Sequence, residues 1–192
     1  MYEERPNVWS GEPNAQLLTE ASRLAPGTAL DVGCGEGADA VWLARHGWQV
    51  TATDISCVAL ERARVHAASA GTDITFVEAD LVDEPLPAAP FDLVSAQFFQ
   101  VTDPPRTRFM RNLGDAVATG GHLLVVGHHP GGDLASAVQH RSPDRFYTPA
   151  EITALFSADD WLILVCETRE RTAMHHGELT DLTDTVVLLR RR

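Results

Sequence analysis

The sequence predicts an α/β fold: a doubly wound, mostly parallel seven-stranded sheet with an antiparallel last strand. Three observations predict it. Short runs rich in Val, Leu, Ile and Thr alternate with helical patterns from Thr28 to His128, the rhythm of βαβ units with right-handed crossovers. The first run, TALDV, passes into a loop holding Gly33, Gly35 and Gly37, and a helical pattern follows at once. Near the C-terminus, WLILVCETRE and DTVVLLRR have no helix between them, and the linker RTAMHHGELTDLT is too short for a helical crossover, so these two runs should pair antiparallel.

Each element follows in order. NAQLLTEASRL is an amphipathic helix, TALDV a buried strand, ADAVWLARH a helix and WQVTATD the second strand. SCVALERARVHAASA is a longer helix with Ser56 as N-cap and Gly71 as stop. DITFVEAD and, after the Pro-rich turn EPLPAAP, FDLVSAQF are strands three and four. RTRFMRNLGDAVA is a helix and GHLLVVGH the fifth strand. After Pro130 a polar loop leads to a short helix that Thr148 caps, with Pro149 in its first turn and Glu151 three residues after the cap.

The 192 residues suggest one domain with a full-sized core, and the 44% hydrophobic and 22% charged content is that of ordinary globular proteins. No apolar run reaches bilayer length, and MYEERPNVW lacks the basic flank and apolar stretch of a secretory signal. Cys34, Cys57 and Cys166 are odd in number, far apart and without a CxxC spacing, which argues for a reducing, cytoplasmic setting and against a disulfide frame or a metal site. A formal net charge of −12 repels phosphodiester backbones, so neither nucleic acid nor membrane is an expected partner. All fifteen basic residues are arginine, and Arg190, Arg191 and Arg192 are expected to form a frayed, solvated tail.

A strand, a glycine turn and a helix start make a nucleotide site, because bare glycines permit close approach and the helix start offers free N–H groups. Asp54 ends the second strand, 21 residues beyond Gly33, where a carboxylate can accept from both ribose hydroxyls. Gly33-x-Gly35-x-x-Ala38 also fits the dinucleotide fingerprint, so NAD is a competing ligand. Three features weigh against it. Asp31 precedes the first glycine, where a carboxylate sits poorly beside a pyrophosphate; Glu36 adds negative charge inside the turn; and VEADL puts Asp80 at the end of the third strand, where it can meet an adenine edge. Such a turn suits a cationic ligand without phosphates, as S-adenosyl-L-methionine is.

Here the sequence resembles the class I S-adenosylmethionine-dependent methyltransferases, which have a Rossmann-like sheet. The resemblance runs from Ala29 to His128 plus the terminal strand pair, through LDVGCGEG, TATDIS, VEADL and FDLVSAQFF in that order. It implies a single methyltransferase domain over residues 1–192, with an N-terminal lid and helix over 1–27, a cofactor-binding core over 28–128 and an acceptor side over 129–192. It also implies that Gly33, Cys34 and Gly35 pass beneath the methionine moiety, Cys34 as a small packing residue. Asp31 positions the loop and the ammonium, Asp54 clasps the ribose, and Ile55 packs on adenine. Ala79, Asp80 and Leu81 meet the adenine edge, and Gln97 lies near the ammonium. WSGEPN is similar to the N-terminal segment that folds over the cofactor in the thiopurine and tellurite methyltransferase subset, which gives Trp9, Pro13 and Asn14 a lid role.

The methyl acceptor, expected to be a small molecule, should meet segments beyond the strand ends. His128 and His129 follow the fifth strand, and either could act as general base. Adjacent histidines on extended backbone point to opposite sides, so no metal is expected. Phe98, Asn14, Arg145, Phe146 and Tyr147 are candidates for the acceptor wall, with Arg145 pairing a substrate carboxylate. His175 and His176 are expected to be solvated. The predicted activity is methyl transfer to a small molecule by in-line displacement, mainly through proximity and alignment, by a monomer or homodimer. An NAD(P)-dependent oxidoreductase and a non-catalytic nucleoside-binding module are the alternatives; the absence of lysine excludes a Tyr-x-x-x-Lys pair from the former.

Overall fold

The computed structural model describes residues 11–87, 90–99, 101–102, 105–131, 145–175 and 178–192. Its seven strands are β1 (Thr28–Val32), β2 (Gln49–Asp54), β3 (Ile74–Glu78), β4 (Phe91–Gln97), β5 (Val117–His128), β6 (Trp161–His175) and β7 (Glu178–Arg191). They form one sheet in the order β3-β2-β1-β4-β5-β7-β6. The pairs β1–β2, β1–β4, β2–β3 and β4–β5 are parallel, and β7 runs antiparallel to both β5 and β6. The chain order reverses between β1 and β4, which opens a crevice beyond their carboxyl ends.

Strand alternation divides the core between the two faces of the sheet. Leu30, Val32, Val94, Leu123 and Val187 share one face with Phe109, Met110 and Leu113 of α4 (Pro105–Asp115) and Ile152 of α5 (Pro149–Thr153). Ala29, Leu93, Leu124 and Val186 face Leu17 of α1 (Ala15–Ala21) and Leu43 of α2 (Ala38–Arg45). On α3 (Cys57–Ala70), Ala59, Leu60, Ala63 and Ala67 make the buried stripe. Ser56 caps that helix through Ala59 N–H, and Gly71 ends it at φ 66°, as the sequence predicts. The reciprocal Thr148–Glu151 capping box also forms at the start of α5.

Three differences from the sequence reading have physical reasons. The strand β5 begins at Val117, because the expected helix ends at Asp115 and Gly120, at φ 83°, lets the chain continue in the sheet. RTAMHHGELTDLT is largely not a linker. Both β6 and β7 run into it, paired out to His175 and Glu178, and polar side chains join across the ladder, as in Thr172 Oγ1 to Asp181 Oδ1 at 2.8 Å. Nor is the C-terminal arginine triplet a frayed tail. Arg190 Nε donates to Gly120 O, Arg191 Nη1 donates to Val117 O at 2.6 Å, and Arg192 N donates to Asp160 O at 2.8 Å.

Candidate functional site

The glycine loop leaves the end of β1 with φ of 69° at Gly33, 54° at Gly35 and 84° at Gly37. A Cβ at Gly37 would stand 2.9 Å from Ala63 Cβ, so glycine here lets the start of α2 approach α3. Over Gly33 lies the ring of Phe99, 2.6 Å from where a Cβ would sit. The loop is anchored to β2: Cys34 N donates to Thr53 O at 2.8 Å, and Gly35 N to Asp54 Oδ2 at 2.9 Å. The other Asp54 oxygen accepts from Ser56 N at 2.9 Å. Asp54 thus holds the loop and the start of α3 in place.

Asp31 lies at the centre of this arrangement and is 1% exposed. Burial, reinforced by the charges of Asp39 and Asp54, pushes its carboxyl well above the usual carboxylate range. Its Oδ2 is buried without a hydrogen-bond partner. On the adjacent strand, Gln97 Nε2 donates to Ser95 Oγ at 2.9 Å, and Gln97 Oε1 is likewise buried and unpartnered. Two orphaned acceptors at neighbouring strand ends call for a donor with several N–H groups and a positive charge. An α-ammonium meets that demand, and a diphosphate does not.

Sequence reasoning missed Asp39. Burial raises its carboxyl to about 6, opposed by the Asn14 N–H, which donates to Asp39 Oδ1 at 2.6 Å. Its position in the first turn of α2, directly after the glycine loop, was the available signal. Asn14 therefore ties the start of α1 to the loop through its backbone, while its side chain caps α1 by accepting from Gln16 N at 2.8 Å. Trp9, the other lid candidate, lies outside the described residues. Glu36 does not present an uncompensated charge to the turn, because it pairs with Arg62 of α3 at 2.7 Å. Burial pushes the Cys34 thiol far up, with Asp31 and Asp54 adding to it, so the thiol is protonated and packs.

Beyond β2, Ile55 is 64% exposed and forms a bare apolar shelf beside Asp54. Ala79 N donates to Asp54 O at 3.1 Å, which brings the end of β3 alongside. Asp80 Oδ1 accepts from Val82 N at 3.2 Å, and Leu81 points into the core.

A second group of side chains lies past β4, β5, β6 and β7. Phe98, Phe99, Gly127, His128, Arg145 and Tyr147 line a small crevice. Phe98 has φ 52°, the left-handed region that a bulky residue avoids, and its ring lies 4.5 Å from that of His128. His129 turns the other way: its N–H donates to Thr183 O and its Nδ1 accepts from Gly131 N at 3.0 Å. Tyr147 is 2% exposed, its hydroxyl donates to Val126 O, and burial pushes its phenol up, so it offers the crevice ring surface. Arg145 is exposed at the crevice lip, and Phe146 is buried behind His128. His175 pairs with Glu178 in the strand ladder, and His176 lies outside the described residues.

Asp184 was also missed, since only the strand register reveals its place. It stands opposite His128 in the β5–β7 ladder and is fully buried. Burial alone would raise its carboxyl, but His128 and Arg171 outweigh that and hold it below its ordinary value. Arg171 Nε donates to its Oδ2 at 2.6 Å, and Gln16 Nε2 of α1 approaches at 3.5 Å. Gln16 Oε1 in turn accepts from Arg169, which pairs with Glu20 at 2.7 Å. Among the described residues no group of His, Cys, Asp and Glu could hold a metal ion.

This geometry defines a doubly wound α/β sheet with a carboxylate-lined switch point. Residues 29–121 match the family described as methyltransferase domain. A ubiquinone biosynthesis O-methyltransferase of Vibrio vulnificus is 27% identical over 180 residues, covering 86% of this chain and 74% of that protein. Methyltransferase GfsG of Streptomyces halstedii is 31% identical over 186 residues, which is 93% of this chain and 64% of GfsG. The crystal structure of TehB from Haemophilus influenzae shares the fold with a TM-score of 0.75, at 19% identity, over 93% of this chain and 62% of TehB. Residues 29–121 therefore form a methyltransferase domain, and the chain as a whole is similar to S-adenosylmethionine-dependent methyltransferases.

Proposed function

We propose that this protein transfers a methyl group from S-adenosyl-L-methionine to a small-molecule acceptor. The observation that carries this reading is the pair of buried, unpartnered acceptors, Asp31 Oδ2 and Gln97 Oε1, beside the glycine loop. In our reading Asp31 and Gln97 take the cofactor's ammonium and the backbone of Gly33, Cys34 and Gly35 lies along its methionine part. The free lone pairs of Asp54 accept from the ribose. Ile55, Ala79, Asp80 and Leu81 frame the adenine, and Trp9 and Asn14 belong to a segment closing over it. When bound, the cofactor supplies a methyl group on a sulfonium, which departs as a neutral thioether, so the chain need not stabilise an anion there. Its residues align the acceptor, exclude water and accept the acceptor's proton where it carries one.

The named relatives methylate oxygen in one case and bear only the word methyltransferase in another, so O-methylation has the first claim. Phe98, Arg145 and Tyr147 would wall the acceptor, with His128 as its base; His129, whose Nδ1 already accepts from Gly131 N, is set aside. A −12 charge and three free cysteines support a cytoplasmic protein that does not engage nucleic acid. Calorimetric titration with S-adenosylhomocysteine and with NADH tests the proposal. Saturable binding of the first alone supports it; binding of NADH alone would return the site to a dinucleotide.

A further inference from the structure

Four neighbouring strands each deliver one residue to a single point: Phe98 just after β4, His128 on β5, Arg171 on β6 and Asp184 on β7. Asp184 is 0% exposed, and Arg171 accounts for its Oδ2. Its Oδ1 is buried without a hydrogen-bond partner, and so is His128 Nδ1. These two orphans face each other at 3.8 Å. A closure of about 1 Å would join them, and catalytic hydrogen bonds often run long before ligands bind. Arg171 also lies over the Phe98 ring, 5.3 Å from its centroid, while His128 packs against the same ring. Phe98 keeps a left-handed backbone to stand there, and such strain gathers at working sites.

We propose that His128, positioned by Asp184, is the general base for a phenolic acceptor that docks at the mouth of this crevice, against Phe98. This rests on the methyltransferase reading above and adds the substrate class. A neutral amine or thioether needs no base, and a thiol ionises near pH ~8.5, so an oriented imidazole matters most for a hydroxyl. A phenol, ionising near pH ~10, is within reach of histidine, and its flat ring suits the aromatic walls. With Nδ1 turned to Asp184, Nε2 is the nitrogen left for the acceptor, and the His128 side chain, 17% exposed, lines the crevice. The acceptor oxygen forms its bond to the methyl carbon as the carbon–sulfur bond breaks. That bond's electron pair returns to sulfur, and the phenolic proton passes to His128 Nε2. The imidazolium then shares its Nδ1 proton with Asp184 Oδ1. Other charges around the ring are Arg171 on β6, Arg145 at the crevice lip and, one shell out through Gln16, the Arg169–Glu20 pair.

Two measurements test this. In the protein without ligands, nitrogen-15 NMR should find the neutral His128 ring protonated on Nδ1. In Asp184→Asn the Arg171 bond keeps the amide oxygen at the Oδ2 position and turns the NH2 toward Nδ1, so the proton should move to Nε2. In kinetics with catechol and 4-nitrophenol, His128→Gln should lower kcat on catechol by ~10²–10⁴ and leave the cofactor KM in place. On 4-nitrophenol, already ionised near neutral pH, the loss should stay under about tenfold, because no proton needs removing. Equal losses on both acceptors, an unchanged tautomer in Asp184→Asn, or no turnover of either phenol by a protein that binds S-adenosylhomocysteine would overturn the proposal. Should Asp184→Asn not fold, His128→Gln decides alone. Failure of the methyltransferase reading is separately visible as absent binding of S-adenosylhomocysteine.

Discussion

Asp39→Asn should stabilise the protein, and the gain should grow with pH. Burial holds the Asp39 carboxyl at about 6, against an ordinary value of 3.8, so the folded state keeps a proton that the unfolded chain has lost. The sign follows: a raised carboxyl in the folded state opposes folding, by nothing at low pH and increasingly as pH rises from 3.8 through 6. The rise from 3.8 to about 6 corresponds to about 3 kcal/mol at pH 8 and roughly half of that at pH 5. Partial exposure and coupling to Asp31 reduce this. So does weakening of the Asn14 N–H bond, charge-assisted in the parent, by about 1 kcal/mol. The net expectation is about 1–2 kcal/mol of added stability at pH 8 and little at pH 5, read from urea midpoints at the two pH values. The amide oxygen still accepts from Asn14 N, so the contact at 2.6 Å survives. A variant less stable than the parent at pH 8, or a gain independent of pH, would refute the account of a strained carboxylate cluster.

Further expectations concern the loop and its ligand. Asp54→Ala removes the acceptor of Gly35 N and Ser56 N and should weaken S-adenosylhomocysteine binding by ~1.5–3 kcal/mol in calorimetry; an unchanged affinity would release Asp54 from the ribose site. Gly37→Ala meets both a left-handed φ of 84° and Ala63 at 2.9 Å, and should lower stability by about 1–3 kcal/mol in thermal unfolding. Because Asp31 sits raised beside Asp39 and Asp54, an arriving cation should displace a proton. Affinity should rise as pH climbs above the ordinary carboxylate range, and titrations in two buffers of different ionisation enthalpy should register proton release. Arg191→Ala, which frees Val117 O, should cost about 1 kcal/mol, whereas a frayed tail would cost nothing.

Much of the fold was legible because local chemistry and global pairing agree here. Ser56 and Gly71 bracket α3 by capping rules, and Thr148, Pro149 and Glu151 start α5 in the same way. The glycine loop and Asp54 could be found because their spacing is set by one βαβ unit. What escaped depends on register or burial. Asp184 acquires meaning only when antiparallel pairing sets it opposite His128. Asp39 stands in the first turn of a helix, and only the fold brings the Asn14 N–H to it. The outer halves of β6 and β7 are polar, and polar alternation in Thr, Arg and Glu resembles a loop unless the opposite strand is known. Arg191 was misjudged because three consecutive arginines suggest solvent, while strand alternation carries one of them to backbone carbonyls.

A crystal structure with S-adenosylhomocysteine tests the central claim most directly. The account predicts the ammonium within hydrogen-bond distance of Asp31 Oδ2 and Gln97 Oε1, with the ribose hydroxyls on Asp54. A ligand bound elsewhere, or an ammonium turned away from both acceptors, would contradict it.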